Sequence, residues 1–116
     1  IDTIIRREEA YEVRDYKTSL EIVTEPEARF QVGLYSAGLR KLGRRVEKGS
    51  LALLREGGSE VKSFPIDDAM LDGMEGKAAE SIQGILDRDF SARPGEPCGR
   101  CDQSKICKWR SKEMAL

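Results

Sequence analysis

A carboxylate and an ammonium group, those of Asp15 and Lys17, lie two residues apart in the chain. The surrounding residues 13–19 have the pattern of a strand that is ending, and side chains along a strand alternate between the two faces of a sheet. Asp15 and Lys17 are therefore predicted to share one face. A carboxylate with a cationic neighbour is a candidate site for a divalent metal ion.

Asp2 belongs to the same candidate site in one hairpin register. Residues 2–6 and 11–15 are predicted as two strands joined by a short polar turn at Glu8 and Glu9. A turn centred there gives three cross-strand pairs, namely Arg6 with Tyr11, Ile4 with Val13, and Asp2 with Asp15. Opposed carboxylates repel each other, and a divalent cation bound between them turns the repulsion into coordination. A slip of one residue would put the two carboxylates on opposite faces.

The alternative interpretation of this stretch is a solvent-facing hairpin with scattered charges. It has support because 35% of the residues are charged and because short acid-x-Lys matches are common by chance. On strand spacing alone, both interpretations stay open.

Length and composition indicate a single ordinary globular domain. The chain has 116 residues, of which 39% are hydrophobic, and a formal net charge of −1. No apolar run is long enough to span a bilayer and nothing resembles a signal peptide, so we expect a cytoplasmic protein without a membrane partner. Because the first residue is Ile and lies inside a strand pattern, we expect an N-terminally truncated piece of a longer protein.

Positive charge is distributed unevenly, although the small net charge argues against a uniformly basic nucleic-acid binder. Two clusters stand out, the first comprising Arg40, Lys41, Arg44, Arg45 and Lys48, and the second Arg93, Arg100, Lys105, Lys108, Arg110 and Lys112. Such runs are commonly just a solvated face. Beside an acidic metal site, they favour a phosphate backbone as the partner.

A helix is predicted from the capping sequence at residues 24–27 to about Leu42, with Gly43 as its stop. Gln31 and Tyr35 are four residues apart and lie on one edge of its apolar stripe. Taken singly, Tyr35 is a core aromatic residue and Gln31 a flanking polar residue. Together they carry donors and acceptors suited to a phosphate, a base edge or the lysine.

The remaining pattern predicts an α/β protein. Residues 49–55 and 60–65 read as two strands joined at Gly57-Gly58, and a second helix follows from about Asp67 or Asp68 to Asp87. Its predicted core stripe is Leu71, Met74, Ala78, Ile82 and Ile85. We expect one partial domain over residues 1–116, with the sheet and two helices in residues 1–90 and a cysteine-rich tail in residues 91–116.

All three cysteines lie in the tail, as Cys98, Cys101 and Cys107 in a C-x2-C-x5-C arrangement. A polar loop has little apolar content in which to bury thiols, so this concentration favours metal ligation over core packing. Three thiolates leave a tetrahedral site one ligand short, and the chain has no His. Asp102 could complete a zinc site, and the simplest account places the fourth ligand upstream of the sequence.

These motifs, taken in order, resemble RecB-like nucleases of the PD-(D/E)XK superfamily. The resemblance rests on residues 1–2, 13–18 and 31–35 and on the three cysteines. It is strongest to the iron-sulfur branch that includes AddB-like nucleases and the C-terminal nuclease domains of UvrD/Rep-type helicases. It implies a restriction-endonuclease-like mixed sheet flanked by helices, followed by the cysteine-rich tail.

The resemblance also implies roles for individual residues. Asp2 and Asp15 would hold Mg2+ or Mn2+ together with the backbone carbonyl of Tyr16, and Lys17 would position the attacking water. Gln31 and Tyr35 would order the active site and meet DNA. The three cysteines would ligate a 4Fe-4S cluster whose fourth Cys lies outside this sequence. The implied function is DNA exonuclease activity in a helicase-nuclease of DNA repair or recombination, with single-stranded DNA and the helicase portion as partners.

Four departures from the family pattern leave alternatives open. Thr3 follows Asp2, and Ile5 stands where a second acidic residue is common. The upstream helix with its histidine and the fourth cysteine are also absent, so this fragment alone could be inactive, with no assembled cluster, even where the parent protein is a nuclease. One alternative is a catalytically inactive DNA-binding module of a helicase, and another is a zinc-binding protein-interaction module.

Overall fold

The computed structural model of the chain describes residues 3–19 and 24–111. Its elements, in chain order, are β1 (Thr3–Arg7), β2 (Ala10–Lys17), α1 (Glu25–Lys41), β3 (Val46–Arg55), β4 (Gly58–Pro65), α2 (Asp68–Leu86) and a short 3-10 helix (Glu96–Arg100). The predicted order of strands and helices is confirmed. None of the described helices combines the length and apolar character needed to cross a membrane.

The four strands form one mixed sheet in the order β1-β2-β3-β4. The outer pairs, β1 with β2 and β3 with β4, are antiparallel hairpins. The central strands β2 and β3 are parallel and are connected through α1. A parallel pair needs such a crossover, because a tight turn can join only antiparallel strands. The predicted mixed α/β sheet flanked by helices is confirmed.

The first hairpin has the predicted register among the described residues. Ile4 pairs with Val13 and Arg6 pairs with Tyr11. The turn contains Glu8 with a φ of 50°, in the left-handed region that a two-residue hairpin turn requires. Asp2, the remaining member of the predicted pairs, lies outside the described residues.

Helix α1 begins with the predicted capping box. The backbone N–H of Thr24 donates to Glu27 Oε2 at 2.8 Å, and the Glu27 N–H donates to Thr24 Oγ1 at 3.4 Å. These bonds satisfy two of the donors that a helix N-terminus leaves free. Beyond the C-terminal end of α1, Gly43 has a φ of 77°, as expected for a glycine that ends a helix.

The core lies between α1 and one face of the sheet. It is built from Ala28, Val32 and Ala37 of the helix with Val13, Val46, Leu51, Phe64, Ile66 and Leu71. Gly49 lets the helix approach β3, because a Cβ at this position would lie 2.8 Å from Val32 Cγ1 and 2.6 Å from Phe64 Cε2. The face that α1 covers is called the helix-covered face below, and the other is called the reverse face.

Helix α2 extends across the boundary between two compact units, which falls between Glu80 and Ser81. In the first unit, Leu71 is buried and Met74 lies against Gly33 of α1. The predicted core stripe is wrong farther along α2, where Ile82 is 58% exposed and Ile85 is 64% exposed. Apolar periodicity identifies the face of a helix that can be buried, but it does not supply the element that covers it.

Candidate active site

Asp15 and Lys17 project from the end of β2 onto the helix-covered face. They follow Val13 at intervals of two residues, and Val13 is fully buried in the core. Asp15 is only 5% exposed. Lys17 Nζ lies 2.8 Å from Asp15 Oδ2, and the Lys17 side chain is 20% exposed. The structure therefore places the carboxylate and the ammonium group as a largely buried ion pair at the edge of the core.

Helix α1 adds two polar side chains to this pair. Lys17 Nζ donates to Gln31 Oε1 at 3.3 Å. Gln31 Nε2 in turn donates to the hydroxyl oxygen of Tyr35 at 2.9 Å, across one helical turn. Asp15, Lys17, Gln31 and Tyr35 thus form one continuous polar chain, which is called the site chain below. Four of the five predicted catalytic residues are brought together, and the fifth, Asp2, lies outside the described residues.

The Asp15 carboxylate has unused capacity to bind a cation. Its Oδ2 atom is buried and, apart from the ion pair with Lys17, makes no hydrogen bond to any described residue. The Lys17 ammonium group compensates the charge of this buried oxygen, and a hard divalent cation would give it a further partner. Within residues 3–19 and 24–111, Asp15 does not belong to a group of three potential metal-ligating side chains. Mg2+ typically needs only one or two carboxylates, because waters and substrate oxygens complete its coordination.

Tyr16 lies between Asp15 and Lys17, and its side chain is on the reverse face, where it is 40% exposed. The hydroxyl is therefore directed away from the site chain. The proposed contribution of Tyr16, its backbone carbonyl, stays a prediction.

The reverse face carries a charged cluster that sequence reasoning missed. Glu12 is fully buried there, and it accepts hydrogen bonds from Arg14 Nη2 at 2.8 Å, from Ser50 Oγ at 2.5 Å and from Arg7 Nη2 at 3.3 Å. Lys48 Nζ lies 3.9 Å from the same carboxylate. These five residues are called the reverse-face network. The signal in the sequence is that Glu12 and Arg14 are two residues apart and so share one face of β2. The sequence alone does not distinguish such a pair from solvent-exposed charges.

The pKa of Glu12 reflects the balance of forces in the reverse-face network. Burial disfavours the charged carboxylate and by itself raises this pKa. Hydrogen bonds from Ser50 and Arg14, with the charges of Arg14 and Lys48, act in the opposite direction and lower the pKa below its ordinary 4.5. Glu12 is therefore an anion at neutral pH, held by the groups around it.

The members of the first basic cluster make contacts within the protein. Arg40 donates to the carbonyls of Val46 and Ile66 at 2.8 Å and 2.7 Å and to Asp68 at 2.6 Å, so it ties α1 to the sheet and to the start of α2. The other members contact partners as well, namely Lys41 with Glu75, Arg44 with the Tyr11 ring, Arg45 with Glu47, and Lys48 with Glu12. The Lys41 and Arg45 side chains nevertheless stay 77% and 66% exposed, so Arg40 is the member most fully engaged within the protein.

The cysteines lie in the second unit, around the short 3-10 helix. Cys98 and Cys107 are half-buried and Cys101 is exposed, and all three are free thiols. The described part of the chain does not gather them into a metal-binding group of three. Backbone hydrogen bonds from Gly95 and Ser111 hold the pKa of the Cys98 thiol below its ordinary 9.0, which favours the thiolate that metal ligation requires.

Comparison with known protein families assigns the chain to a superfamily. The PD-(D/E)XK nuclease superfamily matches residues 1–108, which is nearly the whole chain. Searches of curated proteins and of solved structures gave no significant match. The match extends over both hairpins, α1 and the three cysteines, and so includes the described members of the site chain. The chain belongs to the PD-(D/E)XK nuclease superfamily.

Proposed function

We propose that this chain is the metal-dependent nuclease domain of a helicase-nuclease and hydrolyses phosphodiester bonds of DNA. The observation that carries the proposal is the site chain, in which the Asp15 carboxylate, the Lys17 ammonium group and the Gln31-Tyr35 pair meet on one face. Membership of a nuclease superfamily supports the same reaction class.

Asp15 is the proposed metal ligand, together with Asp2 and the backbone carbonyl of Tyr16. Asp2 is included because it precedes Thr3, and Thr3 pairs with Arg14, the neighbour of Asp15. Bound Mg2+ or Mn2+ would supply Lewis acidity toward a phosphate oxygen and lower the pKa of a coordinated water. The buried Oδ2 atom of Asp15 provides a negatively charged oxygen at this position.

Lys17 places a positive charge beside the proposed metal ligand, 2.8 Å from Asp15 Oδ2, where it would position the attacking water. Such a preorganised charge stabilises negative charge that develops on the phosphate oxygens in the transition state. Gln31 holds the ammonium group through its amide oxygen, and Tyr35 holds the Gln31 amide through its hydroxyl oxygen. The Gln31-Tyr35 pair therefore restricts the position of Lys17 as well as offering contacts to DNA.

The finer assignments are part of the same proposal. We assign the chain to the RecB-like, AddB-like branch, with single-stranded DNA as substrate and a role in DNA repair or recombination. The support is the order of the sequence motifs and the C-x2-C-x5-C spacing. In this proposal Cys98, Cys101 and Cys107 ligate a 4Fe-4S cluster with a fourth Cys outside this sequence. The described cysteines are not grouped as a metal site, and the proposal assigns no catalytic step to the cluster.

The test is cleavage of end-labelled single-stranded DNA with Mg2+ by the full-length parent protein as wild type, Asp15→Ala and the matched control Asp72→Ala. Asp72 is an exposed aspartate on α2, so Asp72→Ala deletes the same carboxylate at a position outside the site chain. We expect cleavage by the wild type and by Asp72→Ala, and none by Asp15→Ala, with DNA affinity retained in all three.

Two results would contradict the proposal. Cleavage by Asp15→Ala at the wild-type rate would show that the site is elsewhere. Absence of cleavage in every variant, with DNA binding that is indifferent to Mg2+, would support the inactive DNA-binding module instead.

A further inference from the structure

The two central strands, β2 and β3, do not pair in a simple register. Tyr11 pairs with Val46 but the next residue, Glu12, pairs with Lys48, so Glu47 has no partner on β2. Such bulges are uncommon between parallel strands. The bulge decides which residues of β3 share a face with which residues of β2.

The shifted pairing is what gives Asp15 its surroundings. With the shift, Asp15 lies opposite Leu51, which is fully buried under α1. Continuing the pairing of Tyr11 and Val46 without the shift would put Asp15 opposite Ser50. Because paired residues share a face, that arrangement would place the Ser50 hydroxyl beside Asp15 and turn Leu51 away from α1.

The reverse-face network begins at the first pair after the bulge. Ser50 Oγ lies 2.5 Å from Glu12 Oε1, and Arg14 Nε lies 3.1 Å from Ser50 Oγ. Both contacts join β2 to β3, and both require Ser50 to share the reverse face with Glu12 and Arg14. In the unshifted pairing Ser50 would lie on the other face, so the network forms in the shifted pairing alone.

We propose that Glu12, through Ser50 and Arg14, is a positioning residue for the active site because it fixes the shifted register of the strand that carries Asp15 and Lys17. This inference rests on the proposed nuclease function. Buried polar groups are well suited to specifying a register, since a wrong pairing leaves them without partners. Apolar contacts such as those of Leu51 also stabilise the sheet, but they tolerate small displacements of the strands. A fully buried carboxylate tolerates such displacements less well, because it loses its hydrogen-bond partners.

Two variants test this proposal. Ser50→Ala removes the hydroxyl between the strands and leaves the Glu12-Arg14 pair intact on β2. The double variant Glu12→Met/Arg14→Met removes both charges, so that neither is left buried without its partner. The control Glu75→Gln changes an exposed carboxylate that pairs with Lys41 on the two helices.

Three measurements are made on each folded protein. Nuclear Overhauser contacts between the backbone protons of Asp15 and Leu51 report the register without any metal or DNA. Mn2+ titration reports the affinity of the metal site, and single-stranded DNA cleavage gives kcat and KM separately. Folding and thermal stability are recorded for every variant. The three measurements are then compared at a temperature at which every variant is folded.

We expect both network variants to fold, to lose intensity in the Asp15-Leu51 contacts and to bind Mn2+ more weakly than the wild type. Their kcat should fall by about 10- to 100-fold, the loss that a misplacement of about 1 Å in a reacting group produces, with a nearly unchanged KM. Glu75→Gln should match the wild type in all three measurements.

The proposal is overturned if either variant folds and keeps the wild-type register contacts, Mn2+ affinity and kcat. It is also overturned if stability alone falls, because a purely structural role would produce that result. Should the double variant fail to fold, Ser50→Ala decides the question by itself. If the wild type cleaves no DNA and binds no Mn2+, the nuclease proposal fails, while the register contacts still test whether the network fixes the pairing.

Discussion

Tyr35 is linked to Lys17 through Gln31, because its hydroxyl accepts the hydrogen bond that fixes the Gln31 amide. A hydrogen bond of this kind contributes about 1 kcal/mol net, and its loss therefore corresponds to roughly a fivefold change in a rate or equilibrium constant. We expect Tyr35→Phe to reduce the rate of DNA cleavage by about fivefold in single-turnover experiments. Tyr11→Phe, which removes the same atom from a strand residue outside the site chain, should leave the rate unchanged. An equal loss in both variants would contradict the role of the site chain.

The pH dependence of stability should contain a contribution from Glu12. Its pKa in the folded protein is below the ordinary 4.5, so the unfolded chain takes up the proton first as the pH falls. The stabilisation is therefore fully present above the ordinary pKa and is lost as the pH falls through the folded-state pKa. The groups responsible are Ser50, Arg14 and Lys48, with Arg7 on the same carboxylate.

Glu12→Gln tests this pH dependence, because glutamine keeps the shape but has no charge to lose. We expect the wild type to have the larger free energy of unfolding at neutral pH, and the difference to shrink as the pH falls below 4.5. Urea unfolding at a series of pH values measures this difference in the free energy of unfolding. The exposed control Glu75→Gln should have the same pH dependence as the wild type. A difference that stays constant with pH would contradict the account of Glu12.

At the scale of elements, the packing of α1 on β3 depends on a glycine. A Cβ at Gly49 would lie within 2.8 Å of both Phe64 and Val32 atoms, so Gly49→Ala overpacks the core beneath α1. We expect a loss of about 1–3 kcal/mol in the free energy of unfolding, measured with urea. The matched control is Gly38→Ala in α1, where the new Cβ meets nothing within 4 Å. It should stabilise the helix by up to about 1 kcal/mol, and equal effects of the two changes would contradict this description of the interface.

The elements also show why some features could be predicted from the sequence. The register of the first hairpin follows from its short turn, and the start of α1 follows from its capping box, because both signals are local. The placement of Asp15 and Lys17 on one face follows from strand alternation. The reverse-face network could not be predicted, since it depends on a bulge between β2 and β3, strands that are separated by a whole helix. The acceptors of Arg40 could not be predicted for a related reason, because they lie on other elements.

At the scale of the whole molecule, the metal bound by the three cysteines distinguishes the iron-sulfur proposal from the zinc-binding alternative. The iron-sulfur proposal predicts about four iron atoms per chain in the anaerobically purified parent protein, and their loss in Cys98→Ser. The zinc-binding alternative predicts about one zinc and no iron. Metal analysis by mass spectrometry distinguishes them, with Ser104→Ala as a neighbouring substitution that should leave the metal content unchanged. Zinc in place of iron would contradict the iron-sulfur assignment without affecting the site chain.

The proposed function requires that Asp15 hold a divalent cation on the helix-covered face of the sheet. Mn2+ broadens the NMR signals of nuclei near it, so a Mn2+ titration of the isotope-labelled chain locates the bound ion directly. We expect selective broadening at residues 13–17 and at Gln31, and its loss in Asp15→Asn, which keeps the size of the side chain and removes its charge. Broadening centred elsewhere, or unchanged broadening in Asp15→Asn, would contradict the account.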